Sequence, residues 1–123
     1  MSIIALAKSY NEFQHAFGQG NHLNYADLIQ ELFSPAFKKI ANGNLLVSER
    51  SLLLNQLNGV KEMAGIWEIQ SRELIPSQDN TKCTISYIIS TENAGDFDVI
   101  AILSSSNKKH IDSIEEVYYQ IVK

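Results

Sequence analysis

A chain of 123 residues, 45% hydrophobic and 20% charged, is near the commonest size for one compact domain and long enough to bury one sizeable core. Ten basic residues against 14 acidic ones give a formal charge of −4, and no basic run exceeds Lys38-Lys39 or Lys108-Lys109. That balance disfavours nucleic acid, whose polyanionic backbone asks for a concentrated positive face. The one cysteine, Cys83, cannot form an internal disulfide, so a reducing compartment is expected and the residue reads as a small buried hydrophobe.

The opening MSIIALAKSYNEF is apolar only as far as Lys8 and carries no basic leader. It reads as neither a signal peptide nor a membrane span, and a soluble cytoplasmic protein is expected. Across residues 3–17, Ile3, Leu6, Ala7, Tyr10, Phe13 and Phe17 recur at three- and four-residue steps, the stripe of an amphipathic helix stopped by Gly18 and Gly20. Tyr25 to Phe33 repeats the pattern, and Ser34-Pro35 ends this second helix, because proline disfavours the helical conformation in the residue before it. The period then changes. Phe37 to Ala41 and Leu45 to Ser48 read as short strands about Asn42-Gly43, a pair that supplies the positive φ angles of a type I′ turn. Ser48 is a candidate N-cap for a third helix carrying Leu52, Leu53, Leu57 and Val60 up to Gly65. Four β-like runs follow: Ile66 to Ile75, Lys82 to Ser90, Phe97 to Ser104 and Ile111 to Val122, the first three separated by PSQDN and TENAGD.

The expected order is α-α-β-β-α-β-β-β-β in one domain, 1–123. Helices first and strands after indicate an α+β fold, three helices gathered on one face of a strongly curved, mostly antiparallel sheet. Ile85 to Ile89 and Val99 to Leu103 are apolar on both faces. The helices cover one face, and the other asks for a partner subunit or an enclosed cavity.

In element order and length, and above all in YADLIQELFSPAFKKIANGNLLVSERSLLLNQL and the closing IEEVYYQI, the chain resembles the nuclear-transport-factor-two-like domains, which include SnoaL-like polyketide cyclases and ketosteroid isomerases. The resemblance implies a cone-shaped α+β barrel with an apolar pocket at its wide end and a homodimer packed through the sheet. It does not imply the isomerase reaction. Ketosteroid isomerase uses an aspartate base with a tyrosine and a protonated aspartic acid as oxyanion donors, an example familiar from general enzymology. Matching the first helix and LFSP puts the tyrosine on Phe13, the base near Ile40 or Ala41 and the second acid near Ile102, none of which can move a proton.

Other constellations are sparse. His15, His22 and His110 share no metal-ligand spacing and read as surface groups, so no metal and no cofactor are expected. Glu115 and Glu116 are adjacent and must point to opposite faces of a strand, which excludes a paired-acid mechanism; Glu116 and Tyr118 are placed toward the pocket. On the strand from Ile66, Trp67 and Glu73 are expected to share one face and Glu68, Gln70 and Arg72 the other. The expected pocket lining is Phe13, Phe17, Phe37, Trp67, Tyr87, Ile102, Glu116 and Tyr118. Three readings stand: a protein that binds a small apolar molecule without the usual isomerase residues, a cyclase, isomerase or dehydratase built on Glu116 and Tyr118, or a protein-interaction module using the open sheet face.

Overall fold

The computed structural model describes residues 2–122. The first helix, α1 (Ile3–Gly18), is capped by the Ser2 hydroxyl, which accepts from the Ala5 N–H. Then come α2 (Tyr25–Leu32), the hairpin β1 (Phe33–Ala41) and β2 (Asn44–Val47), α3 (Leu53–Ala64), and the strands β3 (Trp67–Pro76), β4 (Lys82–Thr91), β5 (Asp96–Ser104) and β6 (Ile111–Gln120). The sheet order is β2-β1-β6-β5-β4-β3, with β1 and β6 parallel and every other pair antiparallel. The sheet stays open, with β2 and β3 at its edges. This is the expected α+β architecture in the expected order.

The Asn42-Gly43 turn has φ of 49° and 81° at its two central residues, the type I′ signature. Asn42 does more than turn the chain. Its carboxamide accepts from the Tyr118 N–H at 2.9 Å and donates to the Tyr118 carbonyl at 3.2 Å, fastening the hairpin tip to β6.

Three local expectations change. Phe33 is already extended and opens β1 rather than closing α2; Pro35 sits where β1 and β6 have no paired residues, between Phe33 and Lys38, so its missing N–H breaks no ladder bond. Ser48 does not cap α3. A 3₁₀ turn, Arg50–Leu52, intervenes, pinned by the Arg50 guanidinium donating to the Phe33 carbonyl, and α3 begins at Leu53 with no side-chain cap. In β3 a bulge between Ser71 and Glu73 reverses the alternation, so Glu73 pairs with Ser86 on the outer face beside Glu68 and Gln70 rather than sharing the inner face with Trp67.

The core lies between α1 and the inner sheet face. Phe33 and Phe37 are fully buried, with ring centroids 4.6 Å apart, and Tyr10 and Phe13 pack edge-on to Phe33 at 6.1 and 5.4 Å. Cys83 is buried, and burial raises its thiol pKa, as the small-hydrophobe reading expects. No helix among the described residues is long and apolar enough to cross a membrane.

Candidate functional site

Strand alternation decides what enters the cone. On β5, Val99, Ala101 and Leu103 point inward and are buried; on β6, Ile114, Glu116 and Tyr118 share that side, and on β1 Phe37, Lys39 and Ala41 do. Toward the end of the sheet that holds Phe97 and Tyr118 the core stops being solid. A cavity of about 270 Å³ opens there, walled by Trp67, Tyr87, Ile89, Phe97, Val99 and Tyr118 from the sheet and by Leu57, Val60 and Met63 from α3. Its polar lining is Gln14 of α1, Lys39, Gln56, Thr91 and Glu116. A larger, open groove of about 440 Å³ runs between α1 and α2, lined by Leu6, Phe13, Leu28 and Leu32 with Glu12, Glu31 and Lys109. It gathers no buried polar side chain, so the cone cavity is the candidate site.

The rim is built around Trp67. Its ring N–H donates to the Gln14 carbonyl at 3.0 Å, and its own carbonyl accepts from Gln19 at 2.6 Å, which stitches β3 to α1. Gly18 lets the indole come this close, since a Cβ there would stand 2.2 Å from the ring. Lys61 of α3 donates to the carbonyls of Phe17 and Gly18 at 2.9 and 2.7 Å and lies 5.4 Å from the Trp67 ring centroid, a cation at a helix C-terminus. His15 is tied down as well, its Nδ1 accepting the Ile69 N–H of edge strand β3 at 3.0 Å, so it is no free surface imidazole.

A polar chain runs from the β3 bulge to the cavity. Asn11 donates to the Ser71 hydroxyl at 3.3 Å, Gln14 donates to Asn11 at 3.5 Å, and the Tyr87 hydroxyl lies 3.3 Å from Gln14 Oε1 and 3.5 Å from Glu116 Oε2. The one hydroxyl proton serves either acceptor in turn. Burial, then the Glu116 charge, pushes the Tyr87 pKa well above its ordinary value; burial, then Tyr87 and Glu116, does the same to Tyr10. Tyr87 is therefore a fixed neutral donor at ordinary pH.

Of the residues expected in the pocket, Trp67, Tyr87, Glu116 and Tyr118 line the cavity. Phe17 and Phe37 are packed into the aromatic core, and Phe13 lies between that core and the α1–α2 groove. Ile102 is corrected outright: it pairs with Thr84 and Glu115 on the outer face and is 40% exposed. Lys39, Gln14 and Gln56 went unremarked in the sequence. For Lys39 the signal was there, since its neighbours Phe37 and Ala41 are apolar at a period of two; Gln14 stands four residues after Tyr10 and three before Phe17, a polar residue on an apolar stripe.

No protein-family model matches the chain, and no curated protein does. Solved structures match over most of its length. An NTF2-like protein of unknown function from Exiguobacterium sp. 255-15 superposes with a TM-score of 0.71 at 14% identity, covering 89% of this chain and 98% of that one. A candidate SnoaL-like polyketide cyclase from Jannaschia sp. CCS1 gives 0.74 at 10% identity, with 92% and 84% covered. A protein of ketosteroid isomerase-like fold from Catenulispora acidiphila DSM 44928, in complex with trimethylamine, gives 0.71 at 15% identity, with 94% and 85% covered. What these likenesses show is the fold: the open sheet wrapped about a long first helix, with a cavity at one end, is the nuclear-transport-factor-two-like fold.

Proposed function

We propose that residues 1–123 form one domain that binds a small, mostly apolar molecule in the cone cavity and does not run the ketosteroid isomerase reaction. The observation that carries the reading is the cavity itself, about 270 Å³ of space walled by aromatic and aliphatic side chains where a solid core would have been the simpler way to finish the fold. Two others support it. The positions where the resemblance looks for isomerase groups hold Phe13, Ile40, Ala41 and Ile102, which have no proton to give or take. A fold relative has been captured with the small amine trimethylamine.

The outer sheet face supports a homodimer. Ile100, Ile102, Val117 and Tyr119 lie exposed on neighbouring strands, Tyr119 to 64%, beside the ion pair of Arg72 and Asp98 at 3.2 Å. Apolar side chains on adjacent strands make a patch of the kind that subunits cover. The buried, unpaired Cys83 favours a reducing compartment, and with it the cytoplasm.

A second reading, acid–base catalysis, draws on Glu116, a carboxylate in the cavity wall within 3.5 Å of a buried tyrosine hydroxyl. Native mass spectrometry of the protein purified from its source tests the first reading, with a dimer retaining a small molecule as the expected result. A monomer with no retained or exchangeable ligand would overturn it. Turnover of any ligand so found, lost in Glu116→Gln, would move the protein to the second reading.

A further inference from the structure

Among the described residues, Lys39 is the one buried cation. It stands on the inner face of β1 between Phe37 and Ala41, is only 7% exposed, and lines the cavity. A lysine whose side chain is this buried is best held by an opposite charge or by several acceptors about its ammonium. Among the described residues one acceptor reaches it, Gln56 Oε1 at 3.3 Å, for a group with three N–H donors. No carboxylate answers it: among the described residues the only ion pair within 4 Å is Arg72 with Asp98, on the other face of the sheet. Glu116 shares the cavity but turns to Tyr87.

We propose that the cavity ligand is a compact apolar monocarboxylic acid whose carboxylate sits on Lys39, beside the Gln56 side chain. This rests on the reading of the cone as a ligand site. The cavity is at or below the small end of the usual range for drug-sized ligands, which fits one ring or a short branched chain. The charges set a direction as well. Lys39 draws the acid head, the walls of Leu57, Val60 and Val99 take the apolar body, and the Glu116 carboxylate turns away a second acid group while accepting from a hydroxyl or amine at that end.

The test is calorimetric titration of the full chain with cyclohexanecarboxylate and with cyclohexylmethanol, which share a ring and differ in the charged head, the site being read from amide NMR shifts. The acid is expected to bind at least about ten-fold tighter than the alcohol, as a charge-assisted hydrogen bond implies. Lys39→Met should remove the acid's preference over the alcohol, and Glu116→Gln should tighten the acid by removing a like charge. Equal binding of acid and alcohol by the unmodified chain, with shifts at Tyr87 and Val99, overturns the carboxylate inference and leaves the pocket reading standing. An acid preference that survives in Lys39→Met also overturns it. If neither compound moves the cavity signals, both the inference and the pocket reading fall. The two-compound comparison on the unmodified chain decides the question even if Lys39→Met does not fold.

Discussion

The same strands build two unlike ends of one cone. At one end Phe33, Phe37, Leu103, Ile111 and Ile114 are fully buried and the space between α1 and the sheet is closed by interlocked rings. At the other, a few residues along β5 and β6, Phe97, Val99, Glu116 and Tyr118 surround open space, and Phe97 and Tyr118 meet edge-on at 5.8 Å across its wall. What changes along each strand is the residue type on the inner face, from large aliphatic to small or polar: Leu103, Ala101, Val99 on β5, and Ile114, Glu116, Tyr118 on β6. Stability and binding are thus expected to reside at opposite ends, and substitutions can separate them.

The largest expected effect is at the closed end. Phe37→Ala removes a fully buried ring from between β1 and the aromatic cluster and should cost roughly 3–5 kcal/mol by chemical denaturation. Equal loss from Tyr118→Ala at the open end would erase the contrast. Gly18→Ala comes next. Its new methyl must displace the indole of Trp67, which a hydrogen bond to the Gln14 carbonyl holds in place, for roughly 1–3 kcal/mol, and the shifted ring should narrow the cavity and weaken any ligand.

Alkaline pH sharpens the comparison in another way. Unfolded tyrosine ionises near 10.0, whereas burial keeps the folded Tyr10 and Tyr87 protonated to higher pH. The unfolded state alone then gains by releasing protons. This contribution to stability is level below pH 10 and falls as pH rises beyond it, and Tyr10→Phe with Tyr87→Phe should flatten the fall in denaturation curves measured from pH 8 to 11. The smallest effect is expected at Met63, 69% exposed at the cavity mouth, where Met63→Ala should change stability by less than about 0.5 kcal/mol and alter ligand exchange more than folding.

Where the sequence was legible, local chemistry and tertiary structure agreed. Asn42-Gly43 needed positive φ and has it; the stripe from Ile3 to Phe17 is the buried side of α1; the turn-rich PSQDN and TENAGD separate the strands as expected. Where it misled, a longer-range interaction won. Ser48 looked like a cap, but Arg50 reaching the Phe33 carbonyl holds a 3₁₀ turn ahead of α3. The β3 bulge leaves no mark that distinguishes Ser71-Arg72-Glu73 from a regular run, so Glu73 was put on the wrong face. The pocket was half legible. Glu116 and Tyr118 were placed by strand alternation and Trp67 and Tyr87 as large aromatics, while Ile102 came from matching another family's acid instead of from the period of its own strand, which turns it outward. Lys39 obeys the same period, against the ordinary surface placement of lysine.

The central claim, that the end at Phe97 and Tyr118 is a binding cavity and the end at Phe33 and Phe37 is core, is tested most directly by an amide and methyl NMR titration with cyclohexanol, a neutral probe small enough to enter. Saturable shifts at Tyr87, Ile89 and Val99, with Phe37, Leu103 and Ile114 unmoved, are the predicted result. Shifts centred on Leu23, Leu28 and Leu32 in the α1–α2 groove, or none that saturate, would contradict it.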